Sequence, residues 1–129
     1  MCILVVDDEA VVLDVIVEYF AEHGLAAWTA RSVDEALEAV GRVPVRLVLS
    51  DIRMAPRDGY ALLEELRRTN PEIPVVLMSS FAPAGASEEA LRSGAAGFLR
   101  KPFSQRQLLD AVAAAFAARG TRCRQSLPG

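Results

Sequence analysis

The sequence predicts an α/β fold: one open, doubly wound sheet of five parallel strands in the order 2-1-3-4-5, with helices on both faces. Two observations carry this. Five short apolar runs, Cys2–Val6, Ala26–Ala30, Leu47–Ser50, Pro74–Ser79 and Gly97–Leu99, alternate with five helical patterns. Two of the runs, "LVLS" and "PVVLMS", are continuously apolar rather than alternating, the pattern of a strand covered on both faces. Right-handed crossovers between parallel strands then lay helices on each side. A chain of 129 residues, 52% of them hydrophobic, suffices for one domain with a core of ordinary size.

Each helical segment carries its own signal. The first, about Ala10–His23, places Val11, Val12, Val15, Ile16, Tyr19 and Phe20 on a broad apolar face, and Gly24 follows as a C-cap. The second opens on Ser32-Val33-Asp34-Glu35, a capping box. The third runs about Gly59–Thr69 behind Asp58 and stops before Asn70-Pro71. The fourth, about Ser87–Ser93, is weaker, because Pro83-Ala84-Gly85 has low helix propensity. The fifth, about Gln105–Ala118, follows a second capping box, Ser104-Gln105-Arg106-Gln107, and stops at Gly120. Residues 1–118 form the domain in this reading, and 119–129 a tail or the start of a linker.

Composition narrows the function classes. Lys and Arg number 14 against 17 Asp and Glu, a net charge of -3. Nucleic-acid binding calls for a basic stripe, and an anionic membrane surface calls for a basic cluster; neither is expected here. No apolar run approaches the roughly 20 residues of a spanning helix. The first strand begins almost at residue 1, with no stretch for a charged leader, so a cytoplasmic location is expected. The two cysteines, Cys2 and Cys123, read as free thiols.

The chemistry gathers at the carboxyl ends of the strands, where ligands bind beside the switch in strand order. The first strand ends in Asp7-Asp8-Glu9, the third in Ser50-Asp51 and the fourth in Ser79-Ser80, and the fifth is followed by Arg100-Lys101-Pro102. Two like charges about 4 Å apart in a partly desolvated site repel by roughly 4 kcal/mol, so close carboxylates either splay into water or share a cation. Taken singly, an Asp-Asp pair after a strand is often a solvated loop, and Asp51 would serve as an N-cap. Taken together, Asp7, Asp8 and Asp51 supply hard oxygens suited to Mg²⁺. Lys101 supplies a phosphate-seeking ammonium and Ser79 a hydroxyl. Glu9 is placed in the first turn of the first helix, where the helix dipole favours an acid. The set suits phosphoryl transfer onto a carboxylate.

"ILVVDDE", "LVLSDIRMAPRDGYALLEELR", "IPVVLMSS" and "GAAGFLRKPF" stand in this order over residues 2–118, and on them the chain resembles the receiver (phosphoacceptor) domain of two-component response regulators. The resemblance implies a flavodoxin-like (βα)5 fold, with Asp51 as phosphoacceptor. It implies Asp8 as a direct Mg²⁺ ligand, Asp7 as a ligand through water, and the backbone carbonyl of Arg53 as a third protein ligand. Ser79 would be the switch hydroxyl, Phe98 the aromatic switch residue, Lys101 the phosphate-binding lysine, and Pro102 the proline of a cis Lys-Pro bond. Arg53 and Phe81 would flank access to the phosphoryl group. The implied partner is a sensor histidine kinase or a phosphotransfer protein. A homodimer through the fourth helix, fifth strand and fifth helix, and an output domain or partner reading that surface, are implied in the same way. The only catalysis implied is self-phosphorylation and autodephosphorylation.

Three departures mark this chain. Ala55-Pro56 stands where the family usually has its proline one residue earlier, so the loop after the third strand is expected to take another path. Arg57 replaces a commonly apolar residue. At the two access positions, Phe81 would shield the phosphoryl group from water and Arg53 would pair with it. A haloacid-dehalogenase-like phosphatase would carry a second acid two residues past its nucleophile, and here that residue is Arg53. A pseudo-receiver would lack Asp51, Lys101 or the acidic pair, and all are present. Nucleotide binding lacks a glycine-rich loop after the first strand.

Overall fold

A computed structural model describes residues 2–118. Its strands and helices alternate throughout: β1 Cys2–Val6, α1 Ala10–Ala21, β2 Ala26–Ala30, α2 Val33–Arg42, β3 Val45–Asp51, α3 Gly59–Thr69, β4 Val75–Ser79, α4 Ala86–Arg92, β5 Gly97–Arg100 and α5 Gln105–Ala118. All four strand pairings are parallel, and the order is β2-β1-β3-β4-β5, as the continuous apolar runs predict. The proposed tail at 119–129, with Gly120 and Cys123, lies outside the described residues. Cys2 is a free thiol.

The sheet divides the core in two. One side packs Leu4, Val6, Val48, Val75 and Leu77 against α2, α3 and α4 through Ala36, Leu62, Leu63, Leu66 and Ala90. The other packs Ile3, Val5, Leu47, Leu49, Val76 and Met78 against α1 and α5 through Leu13, Ile16, Phe20, Leu108, Val112 and Phe116. Successive strand residues point to opposite faces, so the covered stretches Ile3–Val6, Leu47–Leu49 and Val75–Met78 need apolar residues at successive positions. That requirement is what removes their alternation. All five residues of β4 are buried.

The details shift several boundaries. β3 begins at Val45 rather than Leu47 and includes Asp51 as its last residue; the β1–β3 register slips between Cys2 and Ile3, which absorbs the extra residue. α1 ends at Ala21. Its buried residues are Leu13, Ile16 and Phe20, while Val11 is 74% and Val15 44% exposed, so the apolar stripe is rotated from the expected one. Trp28 on the edge strand β2 is 52% exposed. α4 spans Ala86–Arg92 behind Gly85, whose φ of 88° is open to glycine and costly for other residues.

The caps follow the sequence closely. Ser32 Oγ accepts from Glu35 N at 3.1 Å, and Glu35 Oε1 accepts from the backbone N–H of Arg31, one residue before the cap, at 3.0 Å. The second box is reciprocal: Gln107 N donates to Ser104 Oγ at 3.0 Å and Ser104 N to Gln107 Oε1 at 2.8 Å. Asp58 caps α3 by accepting from Ala61 N at 2.9 Å. Among the described residues no helix is long and apolar enough to cross a membrane.

Candidate functional site

The parallel register brings the strand ends to one edge. Asp51 lies opposite Met78 and Ser79 opposite Arg100, while Val6, the residue before Asp7, lies opposite Ser50. Lys101 continues the ladder, its N–H donating to Ser79 O at 2.9 Å. The Lys101-Pro102 peptide is cis. Asp7, Asp8, Asp51, Ser79 and Lys101 thus stand at one edge of the sheet, as their strand positions require.

The three aspartates each offer a carboxylate oxygen within 4.8 Å of the others. Asp7 and Asp51 are buried and Asp8 is exposed. Lys101 Nζ sits between the buried pair, donating to Asp7 Oδ2 at 2.7 Å and lying 3.5 Å from Asp51 Oδ1. Burial pushes the Asp51 carboxyl above its ordinary value; Lys101 works against that shift and the Asp7 charge adds to it. For Lys101, burial alone would lower the pKa, but the hydrogen bond to Asp7 and the charges of Asp51 and Asp7 outweigh it, and the net direction is upward. The ammonium is therefore held charged between two acids. Three oxygen donors at close range, two of them shielded, fit a small hard dication that keeps part of its water shell.

Glu9 is the N-cap residue of α1, one place before the first turn in which it was expected, and makes no side-chain cap bond there. Its N–H donates instead to Asp7 Oδ1 at 3.0 Å. That bond leaves Asp7 holding both its own loop and Lys101.

Ser79 Oγ is engaged by the backbone two residues on. It donates to Phe81 O at 2.9 Å and accepts from Phe81 N at 3.1 Å. The Phe81 ring is 62% exposed, and the Arg53 guanidinium lies over it, 5.0 Å from the ring centroid. These two side chains form one stacked unit that lines a cavity of about 570 Å³ together with Asp8, Met54, Asp58, Tyr60, Ser79 and Glu89. Phe98 is half-buried and packs against the core on the α2–α3–α4 side.

The loop after β3 holds features that motif reading did not supply. Its Ala55-Pro56 peptide is cis. Gly59 N donates to Ile52 O at 2.8 Å, and a Cβ on Gly59 would stand 2.5 Å from Asp51 O and 2.9 Å from Ile52 Cα. Glycine is needed there because the start of α3 presses against the backbone of Asp51. The Asp58-Gly59 pair signals a helix start, and nothing in its spacing signals that contact. Arg57, the departure noted above, pairs with Asp34 of α2 at 2.6 Å. Arg31 reaches the carbonyl of Asp8 at 2.9 Å.

The family described as Response regulator receiver domain matches residues 3–113. Response regulator protein FleR of Pseudomonas aeruginosa is 35% identical over 111 residues, covering 86% of this chain and 24% of FleR. Transcriptional regulatory protein ZraR of Escherichia coli is 39% identical over 100 residues, covering 78% of this chain and 23% of ZraR. The chain thus spans about a quarter of the length of the curated relatives it matches. Among solved structures, NtrX from Brucella abortus superposes with a TM-score of 0.84 at 33% identity, over 97% of this chain and 28% of that one. The beryllofluoride-activated NtrC4 receiver domain dimer superposes with a TM-score of 0.85 at 25% identity, over 92% of this chain and 98% of that one.

Proposed function

The chain belongs to the response regulator receiver domain family, and from that premise we propose that it is a phosphorylation switch in which Asp51 accepts a phosphoryl group from the phosphohistidine of a partner kinase or phosphotransfer protein. The observation that carries this is the placement of Lys101 Nζ, 2.7 Å from Asp7 and 3.5 Å from Asp51, beside a third carboxylate on Asp8. Asp7, Asp8, Asp51 and the backbone carbonyl of Arg53 would hold Mg²⁺. Bound there, Mg²⁺ supplies charge neutralisation for the transferring phosphoryl oxygens.

The residues then divide the work. An ionised oxygen of Asp51 attacks phosphorus; the new P–O bond forms as the P–N bond to imidazole breaks, and the imidazole leaves with the electron pair. Lys101 neutralises a phosphoryl oxygen. The acyl phosphate adds about -1.5 to -2 charges. Ser79 exchanges its bonds to the Phe81 backbone for one to the phosphoryl group. Phe98 moves further inward into the space Ser79 leaves. That alters the surface of α4, β5 and α5, a local charge change read as a population shift. An output domain, a partner or a second copy of the chain reads that surface. The stacked Phe81 and Arg53 shield the phosphoryl group from attacking water. In this reading residues 1–118 constitute the switch, 119–129 a tail or the start of a linker, and the site is cytoplasmic.

Titration with beryllofluoride, a phosphoryl mimic, tests this by amide NMR. Resonances of α4, β5 and α5 are expected to move in wild type with Mg²⁺ and to stay in Asp51→Asn. Equal movement in both would remove Asp51 from the mechanism.

A further inference from the structure

Two loops flank the acid cluster, and both are tied to the same turn. The β1–α1 loop, with Asp7 and Asp8, is joined to the end of β2 by Asp7 N donating to Ala30 O at 3.1 Å, and by Arg31 Nη2 donating to Asp8 O at 2.9 Å. The β3–α3 loop, which follows Asp51, is joined to the first turn of α2 by Arg57 Nη2 on Asp34 Oδ1 at 2.6 Å. The α2 turn is itself closed by Ser32 capping Glu35 N and by Glu35 accepting from Arg31 N. Asp8 is the exposed member of the acid cluster, so burial does not fix it as it fixes Asp7, and Arg31 grips Asp8 through its carbonyl.

We infer that Arg31 and Arg57 are positioning residues, which hold the loop of Asp7 and Asp8 and the loop of the Arg53 carbonyl against the first turn of α2 and thereby set the site's affinity for a divalent cation. This rests on the cation site of the proposed function. Neither guanidinium is placed as a ligand or as a phosphate contact; each acts through another residue. The sign of the effect separates positioning from charge. Removing a positive charge near a cation site strengthens cation binding by Coulomb's law. Removing a hydrogen bond that orders a ligand loop weakens it.

The experiment is calorimetric titration of the metal-free chain with MgCl₂, comparing wild type with Arg31→Met, Arg31→Lys, Arg57→Met and Arg106→Ala. Arg106 lies on α5, paired with Asp110 at 3.7 Å, and reports the effect of one lost charge alone. Thermal melting in EDTA verifies that each variant is folded. Arg31→Met and Arg57→Met are expected to raise the Mg²⁺ Kd about two- to tenfold, the span of a single net hydrogen bond. Arg31→Lys, which keeps the charge and one donor, is expected to recover part of that loss. A Met variant that binds Mg²⁺ as tightly as Arg106→Ala, or more tightly, overturns the positioning role of that residue while leaving the acid cluster intact. A wild-type chain that binds no Mg²⁺ overturns the cation site itself, and the inference with it.

Discussion

Lys101 Nζ donates to Asp7 Oδ2 across 2.7 Å, with the lysine side chain 13% exposed and the aspartate fully buried. A buried pair is weak evidence of net stabilisation, but removing one partner strands the other's charge. Lys101→Ala leaves Asp7 and Asp51 facing each other without a cation. The expected loss of stability is about 3 kcal/mol, the lower end of the range for breaking such pairs, since the lysine keeps some solvent contact. Urea unfolding at neutral pH without divalent cations checks it. A loss below about 1 kcal/mol, the size of an ordinary surface pair, would show the contact to be incidental.

Both shifted groups of this triad hold their protons more tightly in the fold, so each lowers stability as pH rises, in its own pH window. Lys101 titrates above its ordinary 10.5 in the folded chain. Its contribution is fully present below 10.5 and is lost as pH rises through the higher folded value. Asp51 is raised above 3.8, so its ionised form is disfavoured in the fold. That penalty is present at neutral pH and fades as pH falls through the raised value toward 3.8. Asp51→Asn is therefore expected to be more stable than wild type at pH 7, with the difference vanishing near and below pH 3.8. Paired urea midpoints across pH measure this; an Asn variant less stable at pH 7 would reverse the sign.

Gly59 makes a steric prediction. Its absent Cβ would fall 2.5 Å from Asp51 O, and backbone on both sides cannot rotate away as a side chain would. Gly59→Ala is expected to destabilise the fold by about 1–3 kcal/mol, the range for overpacking, and to slow phosphorylation by displacing Asp51. A variant with wild-type stability would mean that α3 can withdraw from β3 freely.

The fold was legible because its main determinant is local. Continuous apolar runs such as "LVLS" and "PVVLMS" between helical patterns are the pattern of strands covered on both faces, and strand order then dictates which residues meet at the carboxyl edge. That is why Asp7, Asp8, Asp51, Ser79 and Lys101 were found together from their positions. Contacts made by long side chains across loops leave no such period. The reach of Arg31 to Asp8, the pairing of Arg57 with Asp34 and the stack of Arg53 on Phe81 depend on tertiary placement of flexible stems. The rotated stripe of α1 has a related cause. Several registers of a valine-rich helix are nearly equivalent in pattern, and packing into the core on the α1–α5 side of the sheet selects the one that buries Leu13.

The stack itself predicts a kinetic effect. An exposed cation–π contact is worth about 0.5–1 kcal/mol, which corresponds to a two- to fivefold change in a rate it gates. Phe81→Ala is expected to shorten the half-life of the phosphorylated chain by at least that factor, because both ring and stacked guanidinium cease to cover the site. Following loss of the phosphoryl group by mass after removal of donor reads it directly. An unchanged half-life would end the shielding role of Phe81.

Intact-mass measurement after incubation with Mg²⁺ and acetyl phosphate tests the acceptor most directly. If Asp51 receives the phosphoryl group, wild type gains the mass of one such group and Asp51→Asn gains none. A wild-type chain that gains nothing, or an Asn variant that gains as much as wild type, contradicts the assignment of Asp51.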